Sequence, residues 1–256
     1  MRLVETHCHL DYLKSYPMEE ILNLCQTNGV EKIVTISVEP DNLDSVLAIA
    51  EAHSHIYCTQ GVHPHDADKI TEECLEKIRS RTKHPKVVAV GEIGLDFHYN
   101  HSVRETQIKR FEEQMQIAHD SNLPVVIHTR DADPETMSIL RNFSGKLPRK
   151  GVLHSFTSGK ALAEYALSEG FVLGFNGIIT FPKAEDVREV LRLTPVNQIL
   201  FETDSPFLTP VPHRGKENGP YFLAHVMKKI AEIKGISEDE LCRIVWDTTH
   251  HLFNLK

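Results

Sequence analysis

Histidine and carboxylate side chains of this chain recur where short apolar segments end. One segment runs into Thr6-His7-Cys8-His9, and others run into Glu92, His128 and His154. Residues i and i+2 of a strand point to the same side, so His7 and His9 are placed to hold one ion together. Imidazole and carboxylate groups are the ligands of zinc- or manganese-like divalent ions. The predicted metal ligands are His7, His9, Glu92, His128, His154 and Asp204.

Taken singly, each of these residues also has a structural interpretation. An isolated His-x-His is a weak signal, a buried His128 or His154 is more often a hydrogen-bonded core residue, and Asp204 alone fits a helix cap or a turn. A polar group that faces an apolar core is costly unless it is paired, however, and six such groups at one face favour a shared site. Six ligands exceed the needs of one tetrahedral ion with an open position, so the set predicts two divalent ions bridged by a carboxylate.

Eight strand-like segments position these residues, and patterns with helical periodicity lie between them. The starts of the segments are 20 to 37 residues apart. Such an alternation, repeated eight times in about 250 residues, predicts an α/β fold, the (β/α)8 TIM-type barrel. An open doubly wound sheet would be expected to carry a Gly-rich phosphate loop after an early strand, and the sequence has none. The predicted strands are Leu3–Thr6, Lys32–Val38, Ile56–Val62, Val87–Gly91, Pro124–His128, Gly151–His154, Phe171–Phe175 and Gln198–Glu202.

The barrel interpretation sets the domain organisation and the place of the site. No linker, charge block or shift in composition interrupts the chain, so residues 1–256 are predicted to form a single domain. Barrel enzymes build their active sites from the C-terminal ends of the strands. The six ligands lie at those ends, so the metal site is predicted at the C-terminal face.

Composition narrows the function classes. The chain carries 28 Lys and Arg against 36 Asp and Glu, a formal net charge of −8, which argues against a protein that coats duplex DNA. Its five cysteines are scattered and form no C-x-x-C pair, which fits a reducing cytosol. No apolar run of about 18 residues and no apolar leader segment occur, so a cytoplasmic protein without a membrane partner is expected.

The ordered motifs of the chain resemble those of the TatD-type metal-dependent deoxyribonucleases, a branch of the amidohydrolase-like barrels. The resemblance extends along essentially the whole chain. It departs from the family pattern within Asp247–Phe253, where a frequent Asn is replaced, and at Thr157–Gly159 after the sixth strand. The matching segments are Glu5–Asp11, Gly61–His65, Gly91–Asp96, Ile127–Ala132, His154–Thr157, Gly174–Phe181, Glu202–Pro206 and His213–Asn218.

The resemblance implies a hydrolase with two divalent metal ions. Neither the residue types nor the resemblance settle the metal, which is zinc, magnesium, manganese or nickel. The resemblance divides the six ligands between two ions, the first held by His7, His9 and Asp204 and the second by His128 and His154, with Glu92 as the bridge.

Charge and geometry extend this picture to a mechanism. Two divalent ions, two carboxylates and a bridging hydroxide leave a site of about +1, which attracts an anionic substrate. Two ions about 4 Å apart stabilise both the attacking and the leaving oxygen of a phosphodiester displacement, and they activate water near neutral pH. The catalytic roles fall to Asp204 and Glu92, with Asp204 as the acceptor of the water proton. Glu202 is expected on the opposite face of the strand, in a supporting role.

Substrate contacts are predicted from the residues that follow the strands. Arg130 is placed to clamp a phosphate, with a salt bridge to Asp131 or Asp133 as the alternative. His63 and His65 are assigned to substrate contact or to a supporting hydrogen bond rather than to ligation. Further candidates are Arg214 for substrate binding and Phe97, Tyr99 and Phe207 for base stacking or loop packing.

The expected substrate is a strand end held in a pocket, because the sequence has no basic stripe with interleaved aromatic residues. The prediction is a 3′–5′ exonuclease that cleaves single-stranded DNA or RNA and has no obligate protein partner. Two alternatives stay open. One is ester hydrolysis, such as D-aminoacyl-tRNA deacylation, and the other is a barrel without enzymatic activity that keeps a structural metal.

Overall fold

Eight parallel strands in sequential order form a nearly closed barrel in the computed structural model, which describes residues 2–256. The end of the first strand meets the segment that follows the last strand through backbone hydrogen bonds, from Asp204 N to His7 O (2.9 Å) and from His9 N to Ser205 O (2.8 Å). The predicted (β/α)8 barrel is therefore confirmed. The strands are β1 Leu3–Cys8, β2 Val30–Thr35, β3 Ile56–Gln60, β4 Val87–Asp96, β5 Val125–Arg130, β6 Gly151–Leu153, β7 Val172–Phe175 and β8 Ile199–Phe201.

Helices connect successive strands and cover the outside of the barrel. Their apolar side chains pack with those of the strands into one large core. No helix within residues 2–256 has both the length and the apolar character needed to cross a lipid bilayer. The helices are α1 Met18–Thr27, α2 Leu43–Ala52, α3 Glu72–Arg81, α4 Arg104–Ser121, α5 Asp133–Phe143, α6 Lys160–Ser168, α7 Glu185–Leu193, α8 Leu223–Lys234 and α9 Glu238–Phe253.

A second apolar cluster takes residues from all eight strands, among them Val4, Val88 and Leu200. Most of these residues are the second of their strand, so they lie towards the N-terminal ends. Phe253 and Leu255, at the end of the chain, pack into the same cluster. An apolar layer thus fills the N-terminal side of the barrel, and the polar residues that follow along each strand are left for the C-terminal side.

Strand β4 is the longest strand, with ten residues, and every one of them is buried. The sequence pattern predicted its end at Gly91, five residues too early, because Glu92 and Gly94 interrupt the apolar run. The extension pairs Gly94 with His128 and Asp96 with Arg130 of β5. The other predicted strands also coincide with observed ones, and their ends differ by at most three residues.

Glycine allows the strands to approach closely beside the polar face. A Cβ atom on Gly61, just after β3, would lie 2.7 Å from Gly91 Cα. A Cβ atom on Gly91 would in turn lie 2.6 Å from Val126 Cβ in β5. These contacts are shorter than real Cβ contacts, so only glycine fits at these two positions, and Glu92 is held where β3, β4 and β5 crowd together.

Candidate metal centre

The six predicted ligands converge at the C-terminal ends of five strands. His7 lies in β1, Glu92 in β4 and His128 in β5. The other three directly follow a strand or lie a few residues beyond it, His9 after β1, His154 after β6 and Asp204 after β8. The barrel therefore brings together side chains that are separated by up to 197 residues along the chain.

Glu92 is the centre of this group, and its carboxylate is almost fully buried. Its Oε1 atom lies 2.7 Å from His154 Nε2 and 3.2 Å from His128 Nδ1. Its Oε2 atom lies 3.2 Å from His7 Nε2. A carboxylate whose two oxygens face imidazoles from both ligand groups has the geometry expected of a bridge between two ions.

Asp204 and the two histidines of β1 form the other part of the group. Asp204 Oδ1 lies 3.7 Å from His7 Nε2 and 3.6 Å from His9 Nε2. Asp204 adopts a left-handed backbone conformation, with φ of 57°, which Asp tolerates better than most residues. Its backbone N–H donates to His7 O, so the conformation of Asp204 is tied to the β1 strand that carries its neighbours.

Buried nitrogens without a hydrogen-bond partner show that the donor set fits a metal. Neither ring nitrogen of His7 makes a hydrogen bond within residues 2–256, although the residue is only 1% exposed. Leaving a buried polar atom unsatisfied is costly, and a metal ion would satisfy such an atom. Three sets of side chains have donor atoms close enough to hold an ion: His7 with His9 and Asp204, His7 with His154 and Glu202, and His63 with Glu92 and His128.

The electrostatics of the group favour ionised carboxylates and, for His7, a neutral imidazole. Burial and the neighbouring His154 ring lower the pKa of His7 to about 4. Burial alone would raise the pKa of Glu92, but the imidazoles of His154, His63 and His7 outweigh it and hold that pKa well below its usual range. The pKa of Asp204 is also lowered, because the histidines around it outweigh its burial. His7 is therefore neutral at neutral pH, and one of its ring nitrogens has a lone pair available for a metal ion.

His128 differs from His7 because two carboxylates flank its ring. Burial alone would lower the pKa of His128, but hydrogen bonds to Asp96 and Glu92 outweigh it and raise the pKa to about 9. In the metal-free chain the ring therefore carries a proton at neutral pH. An ion that binds beside Glu92 has to displace that proton, so metal binding by His128 depends on pH.

Glu202 lies behind His154, and the expectation that it points to the opposite face is wrong. Its Oε1 atom is 3.8 Å from His154 Nδ1 and accepts a hydrogen bond from Ser155 N. Residues two apart in extended backbone share a side, which the sequence interpretation overlooked for Glu202 and Asp204. Gly174 of β7 leaves the space that this carboxylate fills, since a Cβ atom there would overlap Oε2 of Glu202.

A second buried carboxylate, which the sequence analysis did not single out, is Glu5. Its Oε1 atom accepts hydrogen bonds from His7 N (2.9 Å) and Thr203 N (3.0 Å), and so links β1 to the end of β8. Burial raises the pKa of Glu5 to about 8. The only signal in the sequence was a charged residue inside an apolar strand.

His63 and His65 follow β3 and take different positions. His63 Nε2 lies 3.5 Å from Glu92 Oε1, so this ring belongs to the central group, and its predicted contact with substrate stays a prediction. His65 Nε2 instead lies 3.0 Å from Asp96 Oδ2, in the supporting arrangement that was one of its two predicted roles. Asp96 also contacts His128, with 3.1 Å between His128 Nε2 and Asp96 Oδ2.

The predicted substrate-binding arginines lie on aromatic rings. The guanidinium of Arg130 is 4.8 Å from the centre of the Tyr99 ring, and Arg214 is 3.7 Å from that of Phe181. No salt bridge joins Arg130 to Asp131 or Asp133 within residues 2–256, and Asp131 pairs with His98 instead. The guanidinium of Arg130 therefore does not form the salt bridge that the sequence left open as the alternative to phosphate binding.

The aromatic candidates divide into one buried and two exposed residues. Phe97 is 5% exposed and belongs to the core, so packing is its role. Tyr99 and Phe207 are each 52% exposed. Phe207 lies 6.2 Å from His9 and Tyr99 lies 5.5 Å from His65, as measured between ring centres. Two exposed rings therefore lie near the polar group, one beside His9 and the other beside His65.

Comparison with known proteins gives a consistent result over the full length of the chain. The sequence profile described as "TatD related DNase" matches residues 4–254. The chain is 36% identical to the metal-dependent hydrolase YabD of Bacillus subtilis strain 168, with 99% of both chains covered. It is 34% identical to the metal-dependent hydrolase YcfH of Escherichia coli strain K12, over 100% of this chain and 97% of that one. The crystal structure of YjjV, a TatD homologue from E. coli K12, superimposes with a TM-score of 0.93 at 32% identity, covering 100% of this chain and 99% of that one.

Proposed function

The chain belongs to the TatD family of metal-dependent hydrolases, and we propose that it removes nucleotides from the 3′ ends of single-stranded nucleic acid by hydrolysing phosphodiester bonds. The observation that carries the proposal is the position of the Glu92 carboxylate, between His7 on one side and His128 and His154 on the other. This arrangement suits two ions that share one carboxylate, which is the arrangement used to displace groups at phosphorus.

The proposed ligand sets follow the contacts of the six residues. Glu92 lies between the sets and would neutralise part of the charge of both ions. Bound divalent ions supply Lewis acidity, which lowers the pKa of water and stabilises negative charge on phosphoryl oxygens. The first set is His7, His9 and Asp204, and the second is His128 and His154, with Glu92 common to both and His63 beside the second.

Asp204 is the proposed proton acceptor because it is the carboxylate of the group that solvent reaches. Its side chain is 13% exposed, whereas those of Glu92 and Glu202 are 3% and 0% exposed. Its lowered pKa keeps it ionised at neutral pH, so it is able to accept a proton from an attacking water. The ligand role and the base role of Asp204 use the same carboxylate.

Exposed side chains beside the centre support a nucleic-acid end as the substrate. The rings of Tyr99 and Phe207 offer surfaces on which bases stack, and stacking tolerates any base sequence. Arg130 is held over Tyr99 and has no carboxylate partner among the residues that the structure describes, so it is placed to bind a phosphate of the same strand. Arg214, held over Phe181, is a second candidate for substrate binding. The net charge of −8 opposes long contacts with duplex, which favours recognition of an end.

The test is hydrolysis of single-stranded DNA that carries a label at its 3′ terminus, with zinc, magnesium, manganese or nickel added separately to metal-free protein. We expect label to be released as mononucleotide and the remaining strand to shorten from that end. Closed circular single strands of the same sequence should survive. Equal cleavage of circular and linear DNA would contradict the exonuclease proposal.

Asp204→Asn is the control variant, and a D-aminoacyl-tRNA is the competing substrate. The variant should lose several orders of magnitude in rate while it keeps its circular dichroism spectrum. Hydrolysis of the aminoacyl ester with no release from DNA would replace the phosphodiester assignment by the esterase alternative. A barrel that only stores metal would hydrolyse neither substrate, whichever ion is added.

A further inference from the structure

Asp96, the last residue of β4, holds a carboxylate that is fixed at both oxygens. The residue is 1% exposed. Its Oδ1 atom accepts hydrogen bonds from the backbone N–H groups of His98 and Tyr99, both at 3.0 Å. Its Oδ2 atom lies 3.1 Å from His128 Nε2 and 3.0 Å from His65 Nε2. One oxygen therefore binds the backbone of the loop after β4, and the other binds the two imidazoles.

Gln107 of α4 fixes the backbone of Asp96 from behind. Its side chain is fully buried, its Oε1 atom accepts a hydrogen bond from Asp96 N (2.8 Å), and its Nε2 atom donates to Asp96 O (3.1 Å). The same amide donates to Ser102 O at 2.9 Å, which ties down the loop that carries His98 and Tyr99. Asp96 thus has no freedom to turn its second oxygen away from His128.

Once an ion has displaced one of the two ring protons of His128, the hydrogen bond with Asp96 determines which nitrogen keeps the other proton. An ionised carboxylate only accepts hydrogen bonds, so the nitrogen that faces Asp96 Oδ2 has to carry the proton. That nitrogen is Nε2. The other one, Nδ1, lies 3.2 Å from Glu92 Oε1 and 3.4 Å from His154 Nε2, on the side of the proposed second ion.

We propose that Asp96 is the positioning residue of the second ion: it holds His128 as the tautomer protonated at Nε2 and so presents the Nδ1 lone pair to the centre between Glu92 and His154. Carboxylates that accept a hydrogen bond from a ligating histidine orient the ring and strengthen the ligand. In this role Asp96 acts through His128 and is not itself a ligand. The proposal rests on the metal centre proposed above but not on the identity of the substrate.

Zinc titration of metal-free protein, followed by calorimetry, tests the role without any substrate. Asp96→Asn keeps the shape of the side chain, and its Oδ1 atom still accepts from His98 and Tyr99. Its amide then faces His128 as a donor and favours the opposite tautomer, with a proton on Nδ1. We expect zinc binding at one site to weaken about ten- to a hundredfold. A folded variant whose zinc affinities stay within about twofold of the wild type would overturn the proposal, and so would a wild-type chain that binds no zinc.

Asp131→Asn is the matched control. Asp131 makes the same kind of carboxylate–imidazole pair with His98, at 2.8 Å, but its side chain is 65% exposed and does not contact His128. This variant should keep the zinc affinities of the wild type. An equal loss in both variants would overturn the proposal, because the effect would then not depend on contact with His128.

Nitrogen NMR of the imidazoles in the zinc-loaded wild type provides a measurement that does not depend on the folding of a variant. His128 should show a protonated Nε2 and a deprotonated Nδ1, a signature that a purely structural aspartate would not impose. The reverse assignment would overturn the proposal. A chain that shows the expected pattern and yet cleaves no phosphodiester would disprove the proposed substrate and leave the role of Asp96 intact.

Discussion

At the scale of the residue, the buried carboxylate of Glu92 is the charged group that most of the imidazoles in the candidate centre share. Four imidazoles lie within 3.5 Å of its two oxygens, those of His7, His63, His128 and His154. Charged and polar groups inside a protein are tolerated only when they are paired. The imidazoles and Glu92 therefore depend on one another, and the loss of the carboxylate affects every member.

Glu92→Gln should weaken zinc binding by at least about a hundredfold, the upper end of what the loss of a carboxylate partner of ligating histidines costs. The amide retains the size of the side chain but removes the charge that two ions would share. Calorimetric zinc titration measures the change, and hydrolysis of labelled single strands should fall in parallel. Glu51→Gln is a surface control, since His84, at 3.1 Å, is the only ion-pair partner of Glu51 within residues 2–256. An unchanged zinc affinity in Glu92→Gln would exclude a bridging role.

The sequence predicted the six central residues because their types and their places after apolar segments are local signals. It assigned Glu202 to the wrong face and did not weigh Asp96 as a partner of His128. The contact of Asp96 with His128 depends on the register of β4 against β5, in which Gly94 pairs with His128. Register depends on how two strands pair, so it could not be predicted from the sequence of either strand alone. The divided roles of His63 and His65 depend in the same way on side-chain directions after β3.

At the scale of the element, a glycine in one strand provides the space for a buried carboxylate that follows the neighbouring strand. Gly174 lies in β7, and the atom nearest to a Cβ placed at this position is Oε2 of Glu202. The carboxylate of Glu202 is fully buried and lies behind His154. The absence of a side chain in β7 thus positions a group that supports β6 and its histidine.

Gly174→Ala should therefore lower the free energy of unfolding by about 1–3 kcal/mol, the usual cost of inserting a methyl group into a packed interior. Denaturant unfolding followed by fluorescence of Trp246 measures it. Gly145→Ala serves as the control, because no heavy atom lies within 4 Å of its added Cβ and the variant should unfold like the wild type. Equal stability of the two variants would show that Glu202 moves aside without cost.

The strand positions were predictable from sequence, whereas the length of β4 was not. All eight apolar segments coincide with strands because continuous apolar runs are typical of strands that are buried on both faces. In β4 the run is broken by the residues that serve the site, Glu92 and Gly94. The strand pattern therefore fails at two residues with a role in the site. Glu92 supplies the central carboxylate, and Gly94 allows the backbone to approach His128 closely.

At the scale of the whole molecule, the candidate metal centre joins strands from opposite ends of the chain. Asp204 follows β8, His7 and His9 belong to β1, and their contacts lie where the barrel closes. A ligand that binds only the folded state stabilises it according to its concentration and affinity. Ions held by both ends of the chain should therefore stabilise the barrel as a whole.

Metal-free protein should have a lower melting temperature than the zinc-loaded protein, yet remain folded. Zinc at a hundred times its Kd stabilises by about 2.7 kcal/mol per site, which corresponds to a shift of about 5–10 °C for a chain of this size. Thermal unfolding with and without a chelator measures the shift. Asp204→Asn should show a smaller one. A chelator that unfolds the protein at 25 °C would mean that the metal is needed for folding rather than for chemistry.

The five cysteines are free and buried, so the rate at which their thiols are alkylated measures how often the barrel opens. Burial raises the pKa of the Cys58 thiol to about 12 and that of Cys242 to about 11. A raised pKa keeps the reactive thiolate scarce, so alkylation of the native protein should stay slow from pH 7 to pH 9. In urea the thiols return to a pKa of about 8.5, and alkylation should accelerate through the same interval.

Mass spectrometry after timed exposure to iodoacetamide distinguishes these two behaviours site by site. Any native-state labelling should proceed at one common rate for the inner positions, Cys8 in β1 and Cys58 in β3, since both become accessible only when the barrel opens. That rate should fall when zinc is added, because ions that join β1 to the end of β8 oppose opening. Rapid labelling of either cysteine at pH 9 with zinc bound would show that the barrel opens locally at β1–β3 without disturbing the centre. The sequence-based expectation of a reducing cytosol, which the free thiols suit, stays a prediction.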